Sequence, residues 1–336
     1  MNQPVLAEVT RGGRVESRHR GSVVVADAKG KVALALGETG AAVFPRSAVK
    51  ALQALPLVES GAADRAGLDA AELALACASH SGEPVHAAAA ASMLAKVRRD
   101  VGALECGAHW PLGEASARQL AREGKTPSAL HNNCSGKHAG FVCLACGLGE
   151  DPKGYINADH RVQREVRRML EEMTGVAIDP AQAGIDGCSI PTYALPLDKL
   201  AGAFAKLGTG EGLSKTRAQA AERLRKACAR HPQMVAGTGR FDTVAMSALG
   251  ERAFVKTGAE GVHCASFPEL GLGVAIKCED GAGRAADAIM AGVILRFLKL
   301  SDTERTPIEA LARKQLVNWN GITVGEARVA QTLREG

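Results

Sequence analysis

Aromatic side chains are scarce in this chain of 336 residues, which contains two Trp, two Tyr and seven Phe. Proteins that bind single-stranded nucleic acid stack the bases on aromatic rings, and so few rings provide no series of stacking platforms. The formal net charge is +5, and the basic residues are dispersed along the sequence without forming a stripe. Nucleic acid is therefore excluded as the expected partner.

Long apolar runs are missing as well. No stretch of about eighteen apolar residues is free of charge, and the segment Met1 to Gly21 contains no apolar signal region. We therefore expect a soluble cytoplasmic protein that binds no membrane. Charged residues make up 23% and hydrophobic residues 46% of the chain, which is typical of a folded protein. Without repeats or low-complexity linkers, the sequence predicts a single domain over residues 1–336.

The nine cysteines are odd in number and irregularly spaced, which argues against the disulfide framework of a secreted protein. Most are expected to be thiols in the hydrophobic core, including Cys143 and Cys146 inside an apolar helical run. Spacing alone favours inert buried thiols over a zinc site, since no standard finger or ribbon is matched.

The pattern of secondary structure differs between the ends and the middle of the chain. Short β-rich runs are predicted at 22–26, 31–36, 252–257, 262–267 and 271–277. Helices are predicted at 47–60, 69–76, 84–98, 114–123, 137–147, 158–173, 195–207, 214–230, 283–298 and 307–316. This order predicts an α/β (α+β) fold class: an antiparallel sheet formed from both ends of the chain, flanked by helices, with a helical subdomain.

Two short motifs point to nucleophilic catalysis. Ser47 and Lys50 lie one turn apart at a predicted helix start, so that hydroxyl and amine share a face, as a Ser-Lys nucleophile requires. Lys256-Thr-Gly ends a predicted strand far downstream. This pairing is the arrangement of serine β-lactamases and penicillin-binding proteins. Their central Ser-Asp-Asn motif is absent, and the segment Cys77 to Pro84 occupies its place.

That central segment also has a structural interpretation, in which Ser81 caps the helix that begins near Pro84. Two further polar clusters are the segment His131 to Gly140, just before an apolar helix, and the turn Asp186 to Pro191. Reactive side chains at a helix N-terminus meet free backbone N–H groups and the positive end of the dipole, which suits an anion or a thiolate.

Taken together, these motifs resemble the asparaginase II family of the Rhizobium etli type. The resemblance extends from the segment Glu16 to Gly21 to the segment Gly271 to Cys278, and so covers most of the chain. It implies a fold similar to that of serine β-lactamases and glutaminases. It also implies hydrolysis of L-asparagine to L-aspartate and ammonia, and a homodimer.

Site residues follow from the resemblance by motif. The family's two Ser-Lys pairs correspond to Ser47 with Lys50 and Ser79 with Lys256. Its zinc ion, Zn2+, would be held by Cys134, Lys137 and Cys188. Lys277 is an alternative to Lys256, because it also lies in a matching segment. On charge alone, Asp186 is expected to hold the substrate's α-ammonium and Arg46 or His138 its carboxylate.

Two alternatives stay open. One is a glutaminase or a β-lactamase-like amidohydrolase on the same scaffold, since one methylene of substrate length changes binding by only about 1–3 kcal/mol. The other is a zinc- or redox-sensing thiol protein without enzyme activity, built on the cysteine cluster.

Overall fold

A computed structural model describes residues 3–335 of the chain. Its strands β1 to β12 are Val5–Arg11, Arg14–Asp27, Val32–Leu36, Ala42–Val43, Gly184–Ile185, Pro191–Thr192, Leu195–Pro196, Phe254–Thr257, Val262–Phe267, Leu272–Cys278, Arg313–Val317 and Thr323–Val329. Its α-helices α1 to α14 are Lys50–Glu59, Ala62–Ala66, Ala70–Ala76, Pro84–Lys96, Glu114–Arg122, Ser135–Gly147, Arg161–Thr174, Leu197–Thr209, Lys215–Arg230, Pro232–Ala236, Phe241–Leu249, Gly283–Phe297, Asp302–Ala312 and Gln331–Glu335. A 3₁₀ turn, Arg46–Val49, leads into α1.

Within residues 3–335, eight strands form one antiparallel sheet. Their order is β11-β12-β1-β2-β10-β9-β8, and β3 pairs with β2 beside this path. Strands from the two ends of the chain meet where β2 pairs with β10, for example at Val25 opposite Val274. The expected α+β class, with its sheet assembled from both ends of the chain, is confirmed.

Helices cover the centre of the sheet. All six residues from Gly21 to Ala26 on β2 are buried, and because successive side chains point to opposite faces, both faces must be covered. Helices α8 and α12 both pack against β10. Gly273 allows the close approach of α8, since a Cβ there would lie 2.0 Å from the carbonyl oxygen of Ala201.

The middle of the chain is helical, as the sequence predicted. Helix α1 packs against α6, α7 and α9, while α3 packs against α6 and α9. The 3₁₀ turn that precedes α1 contacts β8 and β9, so the helical part meets the sheet at Ser47. None of the helices within residues 3–335 combines the length and the apolar character needed to cross a membrane.

The C-terminal hairpin differs from the sequence prediction. The helix expected at 307–316 begins earlier, at Asp302, because Ser301 and Glu304 form a capping box. It ends at Ala312, and the chain continues directly as β11, a mostly exposed edge strand paired with β12. β11 was missed because an exposed strand of Arg, Lys and Gln lacks apolar alternation.

Candidate active site

Ser47 and Ser79 meet at the junction of the helical part and the sheet. Ser47 lies in the 3₁₀ turn after Pro45, and Ser79 follows α3. The Ser79 hydroxyl donates to Oγ of Ser47 over a long distance of 3.4 Å, and Asn133 Nδ2 donates to Oγ of Ser79 at 3.2 Å. Both serines are half-buried, so the structure brings the two predicted hydroxyls together in a partly open position.

Lys50 lies beneath these serines and is buried. Its Nζ donates to the carbonyl oxygen of Ala78 at 2.5 Å and to Sγ of Cys134 at 3.0 Å. The sequence spacing predicts the Lys50 amine within hydrogen-bonding range of Ser47, but no such bond is among the contacts of the described residues. The amine donates to the carbonyl and to the thiol instead.

The surroundings of Lys50 favour the neutral amine. Burial lowers its pKa, and the positive charges of Lys137 and Lys256 lower it further, while Cys134 opposes the shift. A lysine with a depressed pKa can accept a proton, which is the property that the Ser-Lys hypothesis requires.

Lys256 lies on β8 and is completely buried. Its Nζ donates to Oδ2 of Asp242 at 3.3 Å and to the carbonyl oxygen of Thr257 at 2.8 Å. The Lys-Thr-Gly motif adjoins the Ser47 turn, because a Cβ on Gly258 would lie 2.7 Å from the carbonyl oxygen of Pro45. The alternative residue, Lys277, instead donates to the carbonyl oxygens of Glu260 and Cys278.

Two thiols and two amines form a buried cluster next to the serines. Cys134 precedes the first residue of α6, as predicted for a reactive group at a helix N-terminus, and its thiol interacts with that of Cys188. Lys137 Nζ donates to Sγ of Cys188 at 3.1 Å, while Lys50 contacts Cys134. The residues expected to hold zinc are therefore adjacent although Cys134 and Cys188 are distant in sequence.

The electrostatics of this cluster favour a thiolate. The hydrogen-bonding thiol of Cys188 and the positive charge of Lys137 hold the pKa of Cys134 well below its usual range, although burial opposes this. Burial lowers the pKa of Lys137, but the interactions with the thiols of Cys188 and Cys134 outweigh burial, so the pKa of Lys137 is raised. The result is a Cys134 thiolate close to the Lys137 ammonium.

Arg46 and Asp186 form an ion pair at the same place. Nε and Nη2 of Arg46 both lie 2.8 Å from Oδ1 of Asp186. Arg46 has φ of 51°, and two nearby residues, Ser189 and Glu260, have φ of 75° and 55°. Side chains other than glycine rarely adopt this left-handed region, and such strain clusters at functional sites.

His138 lies deeper and is fully buried. Its Nδ1 is 2.6 Å from the hydroxyl of Tyr155, which itself accepts the backbone N–H of Glu105. The tyrosine hydroxyl has one proton and two lone pairs, so it pairs with Nδ1 in either tautomer of the neutral histidine. Burial, with Lys137 and Lys50, keeps the pKa of His138 well below its ordinary value. Within the described residues, Nε2 has no hydrogen-bond partner.

Two findings differ from the sequence analysis at this site. The N-cap of α4 is Glu83 rather than Ser81, whose hydroxyl donates to the carbonyl oxygen of Ala236. Asp242 was missed, since a single carboxylate inside an apolar helix carries no motif. The glycine-bearing turn Gly237 to Arg240 before that helix was the available signal, because it packs closely: a Cβ on Gly237 would lie 2.5 Å from Oγ of Ser81.

Comparison with known proteins identifies the family. The model of the family described as L-asparaginase II matches residues 7–329. The chain belongs to this family. The family places it among the amidohydrolases, as the resemblance implied. No curated protein matches the chain.

Three solved structures show a distant likeness to this member of the L-asparaginase II family. A candidate β-lactamase from Bacteroides dorei is 14% identical with a TM-score of 0.39, and the match covers 78% of this chain and 87% of that one. A simvastatin synthase mutant from Aspergillus terreus is 11% identical with a TM-score of 0.41, with coverage of 86% and 90%. A β-lactamase from Mycobacterium bovis is 16% identical with a TM-score of 0.37, with coverage of 82% and 94%.

Proposed function

We propose that this protein is an L-asparaginase that hydrolyses L-asparagine to L-aspartate and ammonia, with Ser47 as nucleophile. One observation carries the proposal: the hydroxyls of Ser47 and Ser79 lie 3.4 Å apart, beside the buried Lys50, in a chain of the L-asparaginase II family. A hydroxyl becomes a nucleophile when a neighbouring base removes its proton, and a lysine with a depressed pKa is such a base.

The reaction is an acyl transfer in two steps. Ser47 Oγ attacks the carbon of the side-chain amide while its proton passes to the neutral amine of Lys50. The tetrahedral intermediate collapses as the amide nitrogen takes a proton, ammonia leaves, and an aspartyl ester remains on Ser47. Water then attacks the ester, Ser47 regains its proton, and aspartate is released.

Two features of the site assist this chemistry. Ser79, which accepts a hydrogen bond from Asn133 and donates to Ser47, would relay a proton between Ser47 and the leaving nitrogen. Backbone N–H groups of the 3₁₀ turn that holds Ser47 would donate to the oxyanion.

Substrate recognition is assigned to charged and polar groups around the serines. Asp186 would hold the α-ammonium and Arg46 the α-carboxylate, and their ion pair fixes both charges before the substrate arrives. The buried Nε2 of His138 lacks a partner within the described residues, which supports a hydrogen bond between this nitrogen and a polar group of the substrate.

The thiol–amine cluster fits the zinc site that the family resemblance implies. No group of three or more His, Cys, Asp or Glu side chains within residues 3–335 could hold a metal, so Lys137 would have to be the third ligand beside Cys134 and Cys188. Adjacent thiol and amine donors suit zinc, which accepts sulfur and nitrogen. Lys137 is a cation without the metal, and it would bind as the neutral amine because the charge of a divalent ion favours loss of its proton. When bound, zinc would supply a Lewis acid that polarises a substrate oxygen.

Parallel kinetics on L-asparagine, L-glutamine and a chromogenic β-lactam test the substrate. We expect the highest kcat/KM with L-asparagine, and a preference for glutamine would overturn the assignment.

The Ser47→Ala variant excludes the sensor alternative if kcat falls by several orders of magnitude, because a thiol sensor does not depend on this hydroxyl.

The homodimer and the cytoplasmic location stay predictions of the sequence. Size-exclusion chromatography with light scattering tests the first, since a monomeric mass would contradict it.

A further inference from the structure

A buried carboxylate lies behind one of the two site lysines. Asp242, on α11, is 1% exposed and Lys256 is 0% exposed. Lys256 Nζ is 3.3 Å from Oδ2 of Asp242. Burying an isolated charge is costly, so each of these two groups depends on the other.

Asp242 is also fixed by the sheet. The backbone N–H of Thr257 lies 3.1 Å from both carboxylate oxygens, and the Thr257 hydroxyl donates to Oδ1 at 2.5 Å. His263 on β9 places Nε2 at 3.2 Å from the same oxygen, and since a carboxylate only accepts, this nitrogen carries the proton. The carboxylate therefore has one orientation, with Oδ2 directed at the lysine.

These contacts keep Asp242 ionised. Burial raises its pKa, but the charge of Lys256 and the hydrogen bonds from His263 and Thr257 outweigh burial and hold the pKa below its usual range. The groups that face this network further out are Asp287, 3.9 Å from Nδ1 of His263, and Arg240.

Lys256 in turn acts on the serine site. Its strand packs against the 3₁₀ turn that carries Ser47, and its charge lowers the pKa of Lys50. The order of contact therefore runs from Asp242 through Lys256 to the nucleophile turn. Thr257 and His263 hold the far end of this series.

We propose that Asp242 is a positioning residue that fixes Lys256 as an ammonium beside the two serines, where the charge stabilises the oxyanion of the transition state. This inference rests on the proposed function and deepens it. It gives Lys256 the role of a fixed cation, and leaves Lys50 as the only one of the two lysines that takes the serine proton. A cation prearranged at the point where negative charge develops lowers the barrier and affects kcat more than KM.

The test compares wild type with Asp242→Asn, Lys256→Met and the double variant, using kcat, KM and Tm on L-asparagine. Asp242→Asn keeps the shape of the side chain at this position but removes its charge. We expect it to lower kcat about tenfold or more, with KM changed less than about threefold. Because Asp242 acts through Lys256, the double variant should match Lys256→Met within about twofold.

A matched control separates positioning from stability. Leu249→Ala removes a buried side chain at the other end of the same helix, so it should lower Tm and keep kcat at temperatures where it is folded. Wild-type kcat in Asp242→Asn would overturn the inference, and so would a double variant slower than Lys256→Met by the full Asp242→Asn factor.

Failure of folding does not remove the test. If Asp242→Asn is insoluble, the kcat of Lys256→Met is compared with that of the double variant, which can still fold because it contains neither buried charge. A match within about twofold supports the inference, and a slower double variant overturns it. A wild type that hydrolyses another amide instead of asparagine overturns the proposed substrate, and the same comparison is then made on that amide. A wild type without amidase activity overturns both proposals.

Discussion

Lys50 and Cys134 are joined by a hydrogen bond of 3.0 Å from Nζ to Sγ, across a separation of 84 residues. The bond connects the proposed base to a proposed zinc ligand. The serine site and the thiol cluster are therefore one continuous site, and a change in one of them reaches the other.

Loss of either cysteine should remove zinc. Cys134→Ser and Cys188→Ser each delete one of the two sulfur ligands, and we expect metal content to fall from about one zinc per chain to near zero. Inductively coupled plasma mass spectrometry on purified protein measures this. Cys143→Ala is the matched control, because Cys143 is buried inside α6 and its thiol donates to the carbonyl oxygen of Met93. Equal zinc in all three variants and wild type would contradict the assignment.

Removing the charge of Asp186 should weaken substrate binding. Burial raises the pKa of this carboxyl, but the hydrogen bond from Arg46 and the charge of Lys137 hold it below its usual range, so it is ionised at neutral pH. Asp186→Asn should raise KM about tenfold or more, the worth of one hydrogen bond to a charged group. Steady-state kinetics checks this, and Glu304→Gln, which breaks the pair with Arg252, is the control. An unchanged KM would remove Asp186 from the binding site.

Acid should destabilise the fold through His80 and His86, whose rings are stacked with centroids 4.6 Å apart. Each Nδ1 accepts a backbone N–H, from Gly82 and Glu83 respectively. Burial lowers the pKa of both below the ordinary 6.5. Below about pH 6.5 the two histidines therefore bind protons in the unfolded chain but not in the folded protein. Each histidine then lowers the free energy of unfolding by about 1.4 kcal/mol for every unit by which the pH falls, until the pH reaches the pKa of that histidine in the folded protein.

Urea denaturation between pH 7 and pH 5 measures this loss. The double variant His80→Gln, His86→Gln should show a correspondingly shallower pH dependence. If wild type and double variant have the same slope, the two histidines are protonated in the folded protein and the argument fails.

Gly273 tests the packing of α8 on the sheet. In Gly273→Ala the new Cβ would lie 2.0 Å from the carbonyl oxygen of Ala201, a backbone atom that has little room to move. We expect a loss of about 1–3 kcal/mol or more in the free energy of unfolding, measured by urea denaturation. Gly40→Ala, with no heavy atom within 4 Å of the new Cβ, is the control and should change stability little.

The sequence predicted those parts of the fold that form continuous buried apolar runs. Runs such as Val23 to Val25 and Val262 to Phe267 are β-rich and fully buried, and both form strands of the sheet. The exposed strand β11 has no such pattern, so it was predicted as helix. Local composition indicates structure only where the core selects the residues.

For the site, motifs predicted which residues would converge but not how they bond. Lys50 was expected within hydrogen-bonding range of Ser47, but its amine donates a hydrogen bond to Cys134, because tertiary packing determines which groups lie near it. The role of Asp242 could be recognised only from the fold, in which Asp242 on α11 accepts a hydrogen bond from Lys256 on β8. Contacts between distant segments depend on the packed structure, which spacing along the chain does not encode.

The most direct test of the account is the identity of the residue that carries the acyl group. Wild-type enzyme is mixed with L-asparagine, quenched in acid within milliseconds, digested and examined by mass spectrometry. The account predicts a peptide containing Ser47 that is heavier by one aspartyl group, and its absence in Ser47→Ala. An aspartyl group on Ser79, with Ser47 unmodified, would contradict it.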